Sequence, residues 1–286
     1  GKEAYPAGVA FQFREQSALL QTMMYEKFLR SGENNLENVL TWFFGDYLKN
    51  RFGVEGFKYT PSSKPSTFLE KSRHVFTEME SVIKQFTLYA ENGEIDKDLL
   101  AITSDQVRYH DIPSLVADKY AYATDHDDIL AAQFFMFSDQ SGLTYIDDSL
   151  KATNLFELLA TKEVKYNDFH DHQRPKIDRL IDLGILEKVA ELVKFRSEDQ
   201  ITVLKNLFDI EALSYYHYPS GMQAEIEDMV SKGWLTRKTS LLTDPEASYF
   251  NYFLNQQEFS DGYDLRNKYL HGSQADKDDE NAHYTT

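Results

Sequence analysis

Cysteine is absent from the 286-residue chain. This absence excludes disulfides, thiolate zinc sites and a cysteine nucleophile, and it fits a reducing compartment. Long apolar runs are missing as well. The longest, residues 129–137, is interrupted by Gln133 and is far shorter than the ~20 residues that a membrane span needs. The first eight residues carry no apolar segment of the kind found in secretory signals. We therefore predict a cytoplasmic protein that does not bind a membrane.

Positive charge is also scarce. The chain has 30 Lys and Arg against 47 Asp and Glu, which gives a formal net charge of −17. Sequence-independent binding of nucleic acid depends on many clustered cations, so the charge balance disfavours a role in coating phosphate backbones and leaves room for a local basic site. A hydrophobic fraction of 42% excludes general disorder, and the length suits about two domains of ~150 residues.

Glycine and proline are few, at 13 and 7 residues, and they leave long uninterrupted stretches. Apolar residues recur in these stretches at helical spacing, which predicts a mostly α fold. The predicted helices span residues 14–30, 36–52, 66–92, 125–137 and 147–160, with a short one possible at 94–101. We expect their aromatic and aliphatic stripes to be core and not cofactor sites. Residues 102–122 show no steady period.

The second half of the chain contains an internal repeat. Residues 177–186 align with residues 226–235, 49 positions later, and both segments have a helical pattern that ends at Gly184 or Gly233 before two apolar residues. This ending is typical of the recognition helix of a winged helix where it enters the wing strands. It fits equally well two amphipathic helices with glycine C-caps.

The winged-helix interpretation predicts two tandem units, near residues 155–205 and 206–245. Residues 188–195 and 200–204 are the candidate strands of a short hairpin in the first unit.

The predicted recognition helix of the first unit carries Arg174, Lys176 and Arg179 as candidate nucleic-acid-binding residues. Its counterpart in the second unit is acidic, with Glu225, Glu227 and Asp228. Because these carboxylates would repel a phosphate backbone, sequence-specific binding of duplex DNA is disfavoured, and a packing role for the two units is the better expectation.

The most informative segment lies near the C-terminus. Arg266 is followed by Asn267, and after three further residues by His271 and Gly272. This arrangement resembles the motif of the HEPN superfamily, whose ribonuclease members carry an arginine, a polar residue, three variable residues and a histidine. The resemblance covers about fifteen residues, 258–272, and extends plausibly over the helical stretch 246–255.

The resemblance implies a small antiparallel helical bundle, metal-independent cleavage of RNA, and a toxin or defence role. Its matching positions are Arg266, Asn267 and His271. RNA is cleaved without a metal when its own 2′-hydroxyl attacks the phosphate, which needs a proton acceptor of near-neutral pKa and a cation. Arg266 would bind phosphate oxygens, and His271 would exchange the proton. Asn267 would orient the phosphate or a histidine by hydrogen bonding. DNA, which lacks that hydroxyl, should survive.

Helix geometry bears on the oligomeric state. Five positions at about 100° per residue place Arg266 and His271 about 140° apart around a regular helix. The two side chains can act at one site in three ways: the helix loosens near Gly272, the long arginine side chain reaches around the helix, or two protomers share one cleft. HEPN ribonucleases form two-fold dimers, so the resemblance favours a homodimer, in which Lys268 adds local positive charge as a candidate RNA-binding residue.

Two features point the other way. Acidic residues before the motif and Lys268 and His271 at its end also describe an ordinary helix with dipole-matched termini and a stop at Gly272. Residues 273–286 are polar, whereas a HEPN bundle has an apolar helix after the motif, so we expect that a further helix is needed to complete the site.

The expected domains are therefore a helical region of unknown role at 1–150, the tandem winged-helix-like units at 151–245, and a HEPN-like segment at 246–286. No cofactor and no metal are predicted.

The main alternative is a non-catalytic regulatory or scaffold protein that dimerises through its HEPN-like end and binds a protein partner or a small ligand with its N-terminal two thirds. A weaker alternative is a metal-dependent phosphohydrolase, for which the adjacent His126 and Asp127 would need His74 or His110 and a downstream aspartate. An acidic helix N-terminus explains the same residues without a metal. A divalent ion at Asp168, His170 and His172 is weaker still, because adjacent polar loop residues are usually solvated.

Overall fold

A computed structural model describes residues 3–102, 107–270 and 283–284. Helix accounts for 57% and strand for 9%, which confirms the mostly α class. The α-helices that it describes are α1 Val9–Ser31, α2 Leu36–Trp42, α3 Leu48–Phe52, α4 Phe68–Asn92, α5 Lys97–Ile102, α6 Asp127–Phe137, α7 Leu155–Thr161, α8 Arg174–Asp182, α9 Glu198–Ile210, α10 Ser220–Ser231, α11 Asp244–Leu254 and α12 Leu265–Leu270.

The strands are short and form two antiparallel sheets. They are β1 Tyr120–Ala123, β2 Leu186–Val189, β3 Leu192–Phe195, β4 Leu213–Ser214 and β5 Leu235–Lys238. One sheet has the order β4-β1-β5, with Tyr120 opposite both Ser214 and Lys238. The other is the β2–β3 hairpin, in which Leu186 lies opposite Phe195.

The chain divides into two compact units. Unit 1 combines residues 1–115 with residues 244–286, and unit 2 is Val116–Thr243. This division differs from the expected boundaries at 150 and 245, because the C-terminal helices pack with the N-terminal ones. The contact between the two ends is local and specific: Glu3 pairs with Phe259 in a parallel bridge.

Unit 2 is built around an aliphatic core, and its internal repeat has a structural counterpart. Each copy contains a helix, a short strand segment, a 3-10 turn, a second helix and a strand. The turns are Tyr166–Asp168 and Tyr215–His217, so the spacing of 49 positions in the sequence is also the spacing of the structural elements. Gly184 and Gly233 end the second helices with φ of 72° and 73°, a left-handed conformation that glycine adopts at little cost.

The two copies obtain their third strand differently. In the first copy Lys165 pairs with Leu192, so the strand segment before the turn lies beside β3 of the hairpin. In the second copy β4 and β5 flank β1, which precedes both copies in the chain. The spatial order of the strands is therefore the same in both copies. The central strand differs in its place in the chain: β3 follows the other strands of the first copy, whereas β1 precedes those of the second.

Three predictions for unit 2 were wrong in their boundaries. The helix expected at 147–160 begins only after Asn154, because the Asp147 carboxylate accepts from the backbone of Ser149 and Leu150 in a turn and Asn154 is the residue that caps α7. Residues 200–204 are helical and not a strand. The expected unit boundary at 205/206 falls inside α9, which runs unbroken from its Ser197 cap.

Unit 1 is organised around the 25-residue helix α4. Thr67 caps it in a reciprocal box with Glu70, and Gly93 ends it with φ of 77°. The helix expected at 36–52 is present as α2, a π-helical segment over Phe43–Tyr47, and α3. The predicted boundaries of these helices are therefore close to the observed ones.

Most of the apolar stripe expected within residues 14–30 does not form core. Leu19 is half-buried, whereas Leu20, Met23, Met24 and Phe28 are between 48% and 73% exposed, and Phe13, one residue before the predicted helix, is 66% exposed. Helical spacing shows only that apolar residues share one face, and it does not show whether another element covers that face.

Candidate functional site

The motif arginine lies on α12, which packs antiparallel against α4. Arg266 pairs with Glu80, while one turn further on the ring of Tyr269 lies 5.8 Å from that of Phe76. The carbonyl of Tyr269 accepts from Nε of Arg73 at 2.9 Å. Because α12 is only six residues long, these contacts with the long helix determine where its polar side chains lie.

The guanidinium of Arg266 is held on one edge. Its Nε donates to Oε1 of Glu80, and its Nη1 donates to Oδ1 of Asn267 at 3.2 Å. None of the described residues accepts a hydrogen bond from Nη2. The side chains of Arg266 and Glu80 are each 17% exposed. The hydrogen bond to Glu80 raises the pKa of Arg266, so the positive charge is fixed at every ordinary pH.

The polar residue of the motif is itself positioned by its neighbours. Nδ2 of Asn267 donates to Oδ1 of Asp264 at 2.7 Å, which leaves Oδ1 of the amide to accept from Arg266. Lys268 is half-buried, and no described residue forms an ion pair with it. His271 and Gly272 lie outside the described residues. The structure thus brings Arg266 and Asn267 together and leaves the position of the third motif residue open.

Two residues that the sequence analysis did not identify interact with the arginine: Glu80 pairs with it directly, and Tyr109 is close enough for the positive charge to act on its pKa. Glu80 lies on α4, 186 positions before Arg266, and Tyr109 is 4% exposed and stacks on Phe250 at 5.2 Å. Burial raises the pKa of Tyr109, and the negative charge of Glu80 raises it further, so the phenol stays neutral. No local pattern in the sequence could have identified either residue, because both reach the site through tertiary contacts.

A second polar cluster lies in the same unit around His110. Its Nε2 is 3.1 Å from Oε2 of Glu258, and its Nδ1 is 3.5 Å from Oδ1 of Asp244. Ser248 and Asn251 donate to Glu258 at 2.9 and 3.0 Å. Burial alone would raise the pKa of Glu258, but the hydrogen bonds from Asn251, His110 and Ser248 outweigh it and lower the pKa. Because the carboxylate separates Ser248 from the imidazole, this is a structural network and not a nucleophile with its base.

The basic residues expected to bind nucleic acid lie in unit 2, where local groups occupy two of them. Arg174 pairs with Asp171 at 2.9 Å, and Nζ of Lys176 donates to the carbonyl of Ser141 at 2.6 Å. Arg179 is more exposed and makes a longer contact of 3.4 Å with Asp128. Only Arg179 therefore presents much of its charge to solvent.

The metal-dependent alternative has little support in these contacts. His126 caps α6 by accepting from the backbone of Asp128, and His74 lies 2.6 Å from the carbonyl of Thr60. Within residues 3–102, 107–270 and 283–284, no three side chains of His, Asp or Glu are grouped so that they could hold a metal ion. None of the helices in the described part of the chain is both long and apolar enough to cross a bilayer.

Comparisons with known proteins return no match: neither a family model, nor a curated protein, nor a solved structure is similar to this chain. The chemistry of the site must therefore be argued from its own residues.

Proposed function

We propose that this chain is a HEPN-like, metal-independent endoribonuclease that acts in the cytoplasm, with Arg266, Asn267 and His271 as its catalytic residues. The observation that carries the proposal is the state of Arg266. Its guanidinium is anchored through Nε and Nη1, whereas Nη2 has no acceptor among the described residues. Of the five donors of a guanidinium, those on Nη2 are therefore the ones that a phosphate oxygen could accept from.

The anchoring suits the chemistry of phosphate stabilisation. A cation contributes most to catalysis when it is already oriented before charge develops on the phosphate oxygens. Glu80 fixes one edge of the guanidinium, so that Nη2 can donate to a phosphate oxygen without a large change in the side chain. Asn267 supports the same orientation from the other side. His271 would then take the proton from the 2′-hydroxyl and return one to the leaving oxygen.

The test is cleavage of single-stranded RNA in EDTA. We expect Arg266→Ala and His271→Ala each to lower kcat by about 100-fold or more, because each removes a group that acts in the transition state. Single-stranded DNA of the same sequence should survive, since it lacks the attacking hydroxyl. Arg51→Ala removes an exposed arginine of α3 in the same unit and serves as the matched control.

Glu80→Gln separates positioning from charge. The amide keeps the shape of the side chain but gives a weaker hydrogen bond, so we expect kcat to fall about tenfold, with KM nearly unchanged. A parent protein that cleaves no RNA, or variants of Arg266 and His271 that cleave as fast as Arg51→Ala, would overturn the proposal.

We further propose that the enzyme is a homodimer in which two HEPN-like segments share the cleft, and that Lys268 adds to its affinity for RNA. Lys268 carries a charge that no described residue neutralises. Lys268→Ala should raise KM and make it less dependent on salt, because the number of neutralised phosphates falls by one. Sedimentation equilibrium gives the mass of the assembly, and a monomer that cleaves RNA at full rate would contradict the shared cleft.

For unit 2 we propose two winged-helix-like copies that serve packing more than nucleic-acid binding. What supports this is the equal order of elements in both copies, the ion pair of Arg174 with Asp171, and the hydrogen bond that holds Lys176 against the carbonyl of Ser141. A charge-neutral variant of the exposed Arg179, Arg179→Gln, should leave RNA affinity within about twofold of the parent.

One observation favours the alternative, a non-catalytic regulatory or scaffold protein that dimerises through its HEPN-like end and binds a protein partner with its N-terminal region. The exposed stripe of Phe13, Leu20, Met24 and Phe28 on α1 is the kind of surface that such a partner could cover. Under this alternative Met24→Glu abolishes binding of the partner, the chain still dimerises, and RNA is never cleaved. Under the proposal RNA cleavage is present in the parent whether or not this face is used.

A further inference from the structure

Unit 1 contains two cavities that share part of their walls. One cavity of about 210 Å³ is lined by α4 and α11, and a second cavity of about 340 Å³ is lined by α1 and α11. Tyr249, Phe253, Leu265 and His283 belong to both walls, and Nδ1 of His283 lies 2.8 Å from the hydroxyl of Tyr269. None of these residues takes part in the proposed cleavage of RNA.

Aromatic rings form the common wall. The ring centroids of Tyr249 and Phe253 are 4.6 Å apart, and Phe253 and Tyr263 stack at 5.1 Å with an interplanar angle of 14°. Tyr263 also lines the 340 Å³ cavity. A cation near the faces of such rings is stabilised by their negative electrostatic potential.

A carboxylate lies on the same wall. Glu15 of α1 lines the 340 Å³ cavity, is half-buried, and has no ion-pair partner among the described residues. Burial raises the pKa of Glu15, which shows that its charge is poorly solvated. The charge also acts on the neighbouring ring, where burial and then Glu15 raise the pKa of Tyr249. A partly buried carboxylate without a cation is more stable when an ammonium group lies beside it.

The 210 Å³ cavity is lined by one buried hydroxyl that lacks a hydrogen-bond partner among the described residues. Ser72 is 3% exposed, and its Oγ has no hydrogen-bond partner within the described part of the chain. The rest of that wall is mainly apolar, with Val75, Phe76 and Met79 on the same helix. A buried hydroxyl without a partner costs free energy that a ligand donor or acceptor would recover.

We propose that these cavities bind an organic ammonium ion with an apolar body. The ammonium lies beside Glu15 and the rings of Tyr249 and Tyr263, and the apolar body extends past Phe253 towards Ser72. The volume is sufficient, because a cavity of ~150 Å³ already holds a benzene ring. A carboxylate ligand is excluded by repulsion from Glu15, and a purely apolar ligand would leave both polar groups unsatisfied.

The experiment compares 4-phenylbutylamine with 4-phenylbutan-1-ol, which has the same body without the charge. Isothermal titration of the full chain with each compound gives the two dissociation constants. We expect saturable binding of the amine and about tenfold weaker binding of the alcohol, a difference typical of one ion pair supported by cation–π contacts. The absence of saturable amine binding to the parent protein overturns the proposal.

Charge selectivity is tested by Glu15→Gln, with Glu55→Gln as the control in the same unit. Glu55 is 69% exposed, pairs with Lys49 and lines neither cavity, so its removal changes the net charge equally without touching the site. We expect Glu15→Gln to bind amine and alcohol equally and Glu55→Gln to retain the tenfold preference. An unchanged preference in Glu15→Gln contradicts the site, provided that circular dichroism shows both variants folded.

The inner end is tested with 4-(4-aminobutyl)phenol, which places a hydroxyl at the far end of the same body. We expect it to bind the parent protein about fivefold tighter than 4-phenylbutylamine, and to lose that gain in Ser72→Ala while the simple amine binds as before. If the phenol shows no gain in the parent, Ser72 does not contact the ligand and the proposed orientation is wrong.

Discussion

Unit 2 and unit 1 fill their interiors in different ways. Of the twelve largest fully buried side chains that the structure describes, eleven lie in unit 2 and Tyr269 alone lies in unit 1. The core of unit 2 is mostly aliphatic, with residues such as Leu158, Ile177 and Leu180 at 0% exposure. Unit 1 relies instead on aromatic ring contacts and on polar side chains that satisfy one another. The largest fully buried side chains are thus concentrated in unit 2, whereas unit 1 contains the cavities and charged groups on which the proposed binding depends.

Two buried polar side chains of unit 1 hold loops against its helices. Glu37 of α2 is 5% exposed and accepts from Nα and Oγ of Ser62 and from the hydroxyl of Tyr284. Gln85 of α4 exchanges hydrogen bonds with both backbone groups of Lys58. Such contacts tie loops to helices at defined positions, but each one is lost completely when a partner is removed.

The largest expected effect tests the aliphatic core of unit 2. Leu180→Ala should lower the free energy of unfolding of this unit by about 3 kcal/mol, because it leaves a cavity in a fully buried site. Urea denaturation can be followed by the fluorescence of Trp234 in a Trp42→Phe background, since each unit contains one of the two tryptophans. Leu130→Ala, at a site that is 47% exposed, should cost less than about 1 kcal/mol. Equal losses of unfolding free energy in Leu180→Ala and Leu130→Ala would show that burial in the aliphatic core does not determine the stability of unit 2.

The next effect tests the polar interior of unit 1. Glu37→Gln should destabilise unit 1 by about 2 kcal/mol, because the amide cannot accept from all of the donors that face the carboxylate. Burial alone would raise the pKa of Glu37, but the hydrogen bonds from Tyr284 and Ser62 outweigh it and lower the pKa. The carboxylate therefore contributes stability above the ordinary pKa of 4.5, and this is lost as the pH falls through the lower native value. Hydrogen exchange of α2 peptides measures both the loss of stability in Glu37→Gln and the dependence of stability on pH. This dependence on pH should be weaker in Glu37→Gln than in the parent protein.

A smaller effect sharpens the comparison within unit 2, between the two copies of its repeat. Gly233→Ala should cost about 1 kcal/mol, because an alanine side chain is strained at φ of 73° although nothing lies near the added Cβ. Gly184→Ala should cost more, because the new Cβ would also meet the guanidinium of Arg196. Trp234 fluorescence reports both variants. A smaller cost at Gly184 than at Gly233 would show that Arg196 moves aside freely.

The smallest effect has the opposite sign and belongs to unit 1. Ser72→Ala should stabilise α4 by about 0.5–1 kcal/mol, since it removes an unsatisfied hydroxyl and introduces a better helix former. Ser81→Ala on the same helix loses the hydrogen bond from Gln85 and should not stabilise. Hydrogen exchange of α4 in both variants distinguishes them, and destabilisation by Ser72→Ala would indicate a partner for its Oγ.

Elements with a strong period and clear end signals could be predicted well. The helix expected at 66–92 is α4 over Phe68–Asn92, because Thr67, Glu70 and Gly93 set its ends locally. The strand β1 was not predicted. Four residues with neighbours more than 90 positions away in the chain carry no local signal, and their pairing with β4 and β5 is decided by the sheet.

The candidate site divides along the same line. The motif around Arg266 was visible in the sequence because its residues are adjacent. Glu80, which pairs with the arginine, and Tyr109, on which its charge acts, could not be identified in the sequence because they come from other elements. The exposure of Leu20 was also mispredicted, because periodicity describes one helix and exposure depends on what covers it.

The sequence by itself determined the mostly helical class, the ends of α4, the repeat in unit 2 and the adjacency of Arg266 and Asn267, because each depends on interactions within a few turns of chain. Only the tertiary structure decided that the two ends of the chain form one unit, that Glu80 anchors Arg266, and that Glu15 and Ser72 line adjoining cavities. Those facts depend on contacts between residues far apart in the chain, which form when distant surfaces pack and which no local pattern encodes.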